Sequence, residues 1–165
     1  MFADKAIFDF LYGLSHRATL LDWLFIFLAK YLVYFIVLAV LFYLLFKVSG
    51  RKKQISIFLL GILSLIISRG ITTEVIRFFY NVPRPFAESG VQALISHEVS
   101  GSFPSGHMAF LTPLVLLVFS LNKKLGIYLG AAALFVGLAR IVSGVHYPSD
   151  VLGGIVVGII GFYSA

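Results

Sequence analysis

His146 and Asp150 stand four residues apart in the stretch VHYPSD, with Pro148 between them. Proline is favoured at the first position of a helix, so the pair sits on a first turn, where side chains at this spacing meet. A carboxylate there fixes the tautomer of the imidazole, and a neutral imidazole so oriented is a competent nucleophile toward phosphorus. A second histidine, His107, closes the segment PSGH that begins at Pro104. That segment is itself a helix start: Gly106 allows close backbone approach, and the free N–H groups of a first turn attract anions. Ser105 adds a hydroxyl donor, and His107 is the candidate general acid for a departing oxygen. Arg77, Arg84 and Arg140 offer guanidinium forks that match phosphate oxygens and keep their charge.

Each fragment taken singly has an ordinary reading. PSGH is a common way to begin a helix, Arg77 could snorkel toward headgroups or pair with Glu74, and a lone His-x-x-x-Asp pair is often structural. The pattern acquires meaning only if the surrounding elements bring its pieces to one place.

Those elements read as an all-α membrane bundle. Of the 165 residues, 60% are hydrophobic and only 12% charged, and the mean hydropathy is +1.02, a balance that implies an integral membrane protein. The length suits one membrane-embedded domain over residues 1–165. The absence of cysteine excludes disulfides and thiolate metal sites. In a soluble chain a net charge of +6 would suggest nucleic acid. Here the basic residues crowd into short connections and report topology instead.

Five apolar stretches are long enough to span: Asp22 to Phe46, about Ile55 to Tyr80, Pro104 to Leu121, Leu125 to about Ser143, and Pro148 to the C-terminus. Residues 1–21 alternate apolar and polar positions at helical spacing and read as an amphipathic interfacial helix. Asp4 and Asp9 argue against a signal peptide there. The connections KVSGRKK and NKK carry concentrated positive charge and lie on one side, which the positive-inside rule makes cytoplasmic. The loop 81–103 and the turn before Pro148 then face outward, together with every residue of the opening paragraph. Three arginines gathered there would repel one another unless an anion sat among them, and phosphate fits.

Other polar residues take quieter parts. Lys30 and Arg69, inside the first two spans, are assigned to packing or snorkelling, and Glu74 to orienting Arg77. His97 and Glu98 read as solvated loop residues within reach of a diphosphate. The pairs Gly126 with Gly130 and Gly154 with Gly158 have the small-xxx-small spacing of close helix packing.

The three motifs together resemble the signature of the type 2 phosphatidic acid phosphatase superfamily, membrane enzymes that share a site with vanadium haloperoxidases. Its first part, a lysine, six residues and Arg-Pro, is matched by RFFYNVPRP, with Arg77 in place of lysine and Arg84 followed by Pro85. Pro-Ser-Gly-His is complete at Pro104 to His107. The third part, Ser-Arg, five residues, His, three residues and Asp, is matched by ARIVSGVHYPSD, with Ala139 where serine is usual. Arginine at 77 keeps the charge with altered reach. Ala139 removes a hydroxyl, so a hydrogen bond usual in the family is lost or comes from elsewhere.

The resemblance implies a lipid phosphatase that needs neither metal nor cofactor and works through a phosphohistidine. His146 would be the nucleophile oriented by Asp150, and His107 the acid. Arg77, Arg84, Arg140, Ser105 and the Gly106 backbone would hold the phosphoryl oxygens. Within the superfamily, the stretches LISHEVSGSFPSGH and LDWLFIFLAKY are most similar to small bacterial undecaprenyl-diphosphate phosphatases. That likeness implies a site facing outward from the cytoplasmic membrane, a lipid phosphate or diphosphate as substrate, and no nucleic-acid or protein partner. The alternatives are a phosphatase for another lipid, such as phosphatidylglycerol phosphate or lipid A phosphate, and a lipid-phosphate transporter that does not hydrolyse. Binding alone has no need of a His-Asp pair opposite a second histidine.

Overall fold

The computed structural model describes residues 2–88, 90–97 and 100–165, without the side chains of Phe2 and Ala3. Among the described residues all regular structure is helical. Helix α1 covers Phe2–Tyr12, α2 Thr19–Phe46 and α3 Arg51–Phe79. A short turn of helix, α4, covers Pro85–Glu88, and then come α5 (Gly106–Leu121), α6 (Lys123–Val142) and α7 (Pro148–Tyr163). Helices α2 and α3 each contain a π-helical segment, Phe27–Tyr31 and Ile66–Thr72.

Helix α2 is apolar nearly all round and turns Phe35, Leu38, Phe42 and Leu45 away from the bundle, as a lipid-facing helix does. With 28, 29 and 20 residues, α2, α3 and α6 are long and apolar enough to cross a membrane. Helices α5 and α7 have 16 residues each. At about 1.5 Å per residue they are shorter than a hydrocarbon core of about 30 Å. Helix α5 is the centre of the bundle, packed most extensively on α7 and α6. Its Met108, Leu111, Leu117 and Val118 are buried there with Val136 of α6.

Helices α5 and α7 approach closely where Gly154 and Gly158 face α5: a Cβ on Gly154 would stand 2.5 Å from the Ser105 carbonyl oxygen, and one on Gly158 2.5 Å from Thr112 Cβ. Gly126 is as tight against Phe119, whereas Gly130 makes only an ordinary contact with Val115.

The ends of several elements differ from the sequence expectation. The N-terminal helix stops at Tyr12 instead of running to residue 21, and Thr19 to Leu21 already belong to α2. It is also tied to the bundle: Asp4 accepts hydrogen bonds from Ser149 N (2.9 Å) and Ser149 Oγ (2.7 Å) at the start of α7, and buried Phe8 packs on Tyr147. Helix α5 starts at Gly106 rather than Pro104 because Ser105 is still extended. These connections bring the N-termini of α5 and α7, the C-terminus of α6 and the last third of α3 to one end of the bundle.

Candidate active site

The turn between α6 and α7 carries His146, 1% exposed, and closes through Gly144, whose φ of 75° favours glycine. One oxygen of Asp150 organises this turn. Its Oδ2 accepts from Tyr147 N (2.7 Å), which caps α7, and lies 3.3 Å from His146 Nδ1. Ser102 Oγ donates to the same oxygen at 2.5 Å and is 3.3 Å from Nδ1. On the other edge of the ring, Nε2 is 3.2 Å from Arg84 Nη1. A guanidinium only donates, so Nε2 is the acceptor and Nδ1 bears the proton that points to Asp150. Burial, then the charges of Arg140 and Arg84, hold the His146 imidazole well below its ordinary 6.5 and therefore neutral near neutral pH.

All five N–H donors of Arg84 have acceptors. Nε serves Ser100 O (3.1 Å), Nη1 serves Val145 O (3.0 Å) and His146 Nε2, and Nη2 serves Ser100 Oγ and Gly101 O (3.3 Å each). The residue thereby ties the loop before α5 to the turn before α7. Burial, with Arg77 nearby, lowers its pKa to about 10, against the pull of Asp150, and leaves it charged at neutral pH.

Arg77 donates from Nη2 to Pro104 O (3.0 Å) and from Nη1 to Glu74 Oε1 (3.4 Å), an oxygen that also accepts from Arg69. A Cβ at position 106 would lie 2.8 Å from Arg69 Nε and 3.3 Å from Arg77 Nη2. Glycine there lets two guanidinium groups rest on the start of α5. Arg140 directs Nη1 to Ala29 O (3.4 Å) and to His107 Nε2 (3.3 Å). Among the described residues its Nε and Nη2, together with Arg77 Nε and Ser105 Oγ, are buried without a hydrogen-bond partner. Orphaned buried donors are costly, and a cluster of them beside cationic groups is what an oxyanion would satisfy.

Two adjoining cavities open here. One of about 410 Å³ is lined by Arg69, Arg77, Arg84, His107 and His146, so both sequence-picked histidines face one space. The other, of about 350 Å³, is lined by Lys30, Tyr34, His97, His107 and Arg140. His97 and His107 line both. Gly106 lines the first cavity, Ser105 is buried behind it, and Asp150 lies behind His146. Arg140 lines the second cavity and contacts His107, which lines both.

Sequence reasoning missed three residues. Ser102 carries no motif signal, yet it is fully buried on the His146–Asp150 pair. Arg69 and Lys30 read as packing or snorkelling residues in sequence, and both line the cavities. Each lies in a π-helical segment, a feature common at functional sites. The signal available was a basic residue within an otherwise apolar helix. Glu98 lies outside the described residues.

The pattern that defines the PAP2 superfamily matches residues 58–165. The chain belongs to this superfamily. It is 36% identical over 155 residues to undecaprenyl-diphosphatase BcrC of Bacillus subtilis (strain 168), an alignment covering 93% of this chain and 78% of that protein. The crystal structure of Aquifex aeolicus LpxE superposes with a TM-score of 0.77 at 28% identity, covering 96% of this chain and 92% of the other. The transmembrane PAP2-type phosphatidylglycerolphosphate phosphatase from Bacillus subtilis gives 0.64 at 24% identity, over 98% and 82% of the two chains, a likeness of fold. Membership makes the chain a phosphatase, and its apolar helices make it a membrane protein.

Proposed function

We propose that this phosphatase removes the terminal phosphate of a polyprenyl diphosphate, undecaprenyl diphosphate above all, at the outer face of the cytoplasmic membrane. The single observation that carries the chemistry is the Nδ1-protonated His146, held by Asp150 with Nε2 toward a cavity walled by arginines. A site that only bound a lipid phosphate would have no use for an imidazole so oriented. The likeness to the Bacillus undecaprenyl-diphosphatase, which extends over most of the chain, supports the choice of substrate.

In this reading the Nε2 lone pair forms a bond to the terminal phosphorus as the phosphorus–oxygen bond to the leaving group breaks. Nδ1–H stays on Asp150, which steadies the charge gained by the ring. His107, neutral at rest with Nε2 toward Arg140, takes up a proton when the anionic substrate binds beside it and gives that proton to the departing oxygen. Arg77, Arg84, Arg140, Ser105 Oγ and the Gly106 N–H meet the equatorial oxygens, where charge accumulates. Water, deprotonated by His107, then attacks the phosphohistidine, the nitrogen–phosphorus bond breaks, and inorganic phosphate leaves with His146 neutral again. No step requires a metal or cofactor.

The test is phosphate release from undecaprenyl diphosphate by the purified protein, beside phosphatidylglycerol phosphate and a lipid A phosphate. His146→Gln should abolish release and with it an acid-labile phosphate on the wild-type protein, and EDTA should leave the rate unchanged. Near-normal turnover by His146→Gln would exclude the nucleophile, and inhibition by EDTA would point to a metal.

A further inference from the structure

The cavity beside Lys30 adjoins the one that His146 faces and shares His97 and His107 with it. Its cations are Lys30 and Arg140, with the imidazoles of His97 and His107 between them, and no carboxylate among the described residues lines it. Lys30 makes no ion pair among the described residues, and its Nζ stands 5.6 Å from the centroid of the Tyr31 ring. Arg140 is 2% exposed and has two nitrogens without a partner there. The π-helical segment of α2 accounts for this geometry. It carries Lys30 to the cavity while the carbonyl of the preceding Ala29 accepts from Arg140, which binds α2 to α6 at this point. Positive charges concentrated in an apolar setting are costly unless an anion joins them. Ile26, Leu94 and Ile95 give the cavity an apolar wall, beside Tyr34 and Ser96.

We propose that this cavity is a second anion subsite, which receives the lipid-bound phosphate of a diphosphate while the terminal phosphate lies against His146. This rests on the diphosphatase reading above. His107 lines both cavities and so stands where the bridging oxygen between the two phosphoryl groups must lie. When His146 Nε2 bonds to the terminal phosphorus and the bridging bond breaks, the electron pair stays on the bridging oxygen. That oxygen now belongs to a lipid monophosphate, which takes the proton of His107 and remains paired with Lys30. Its first prenyl carbons rest on the apolar wall. A lipid phosphomonoester presents no second phosphate to this cavity and gains nothing from Lys30. Lys30 is therefore a specificity-determining residue, selecting diphosphate over monophosphate.

The experiment measures kcat/KM for farnesyl diphosphate and farnesyl monophosphate, which share one tail, with the full chain in detergent. A charge-assisted hydrogen bond contributes about 1.5–3 kcal/mol, about tenfold or more in rate. Lys30→Met should lower the diphosphate-to-monophosphate ratio about tenfold, mostly through KM for the diphosphate, and Lys30→Arg should restore most of it. An unchanged ratio in Lys30→Met, with wild type still cleaving the diphosphate, overturns the subsite alone. A protein that misfolds loses both activities and is recognised by the monophosphate arm, in which case Lys30→Gln and Lys30→Arg supply the ratio. If wild type cleaves the monophosphate and not the diphosphate, the diphosphatase reading fails and the subsite with it.

Discussion

Removing the Ser102 hydroxyl tests whether the His146–Asp150 pair works as an oriented unit. Ser102 is fully buried, and its Oγ donates to Asp150 Oδ2 at 2.5 Å while standing 3.3 Å from His146 Nδ1. Oδ2 keeps two further donors when that one is lost, Tyr147 N and His146 Nδ1. The carboxylate is thus not stranded, and the cost lies near the lower end of the 1.5–3 kcal/mol typical of hydrogen bonds to charged groups. Since 1.4 kcal/mol is a factor of ten, Ser102→Ala should reduce kcat about tenfold. The effect belongs in kcat because the Nδ1–H bond to Asp150 strengthens only as the ring gains charge during phosphoryl transfer, and interactions made only in the transition state leave KM alone. Steady-state phosphate release across substrate concentration separates the two constants. A variant with unchanged kcat, or one that loses only KM, would refute the idea that this hydroxyl helps to aim the imidazole.

Two further outcomes follow from packing and from burial. Gly154→Ala should lower stability by about 1–3 kcal/mol, read as a drop in unfolding temperature in detergent, because the new methyl would stand 2.5 Å from Ser105 O and 2.7 Å from Met108 Cβ; an unchanged transition would mean that α5 and α7 are not so closely set. The depressed pKa of His146 means that below pH 6.5 the unfolded chain binds a proton that the folded chain refuses, so its contribution to stability is complete above that pH and lost as pH falls from there toward the folded value. Between pH 6.5 and 5 the wild type should lose up to about 1.4 kcal/mol per pH unit more than His146→Gln, and parallel unfolding profiles would contradict a buried neutral imidazole.

The bundle was legible because its signals are local. Apolar length marked the long helices, and the Pro-Ser-Gly-His and Pro148 starts marked where two of them begin. The expected convergence of His107 and His146 on one cavity is also what the fold contains. What could not be read depends on helix rotation. Lys30 and Arg69 read as packing or snorkelling residues from sequence alone, and a π segment, which the sequence does not announce, changes which face such a residue presents. Ser102 was invisible for another reason: its partner is 48 residues away, and nothing about a serine in a loop states that it will be buried on a carboxylate. The N-terminal helix ends earlier than the alternation over residues 1–21 suggests, because residues 13–18 leave the helix and turn the chain into α2.

The three motif arginines are not equivalent, and the difference bears on how the site resets. Arg84 has every donor committed, four of the five to the backbone and side chain of its own loop and turn and one to His146 Nε2. Arg140 and Arg77 retain buried nitrogens with no partner among the described residues. A phosphoryl group approaching Nε2 must take over the lone pair that the Arg84 N–H occupies, which frees that donor beside the reacting phosphorus. Arg84 therefore suits a residue that guards the nucleophile in the resting enzyme and turns to the phosphate only when the new bond forms, a contact made in the transition state and not before. Arg140 and Arg77, already short of acceptors, suit ground-state binding. Lysine at position 84 would keep the charge but lose the fork that makes both jobs possible.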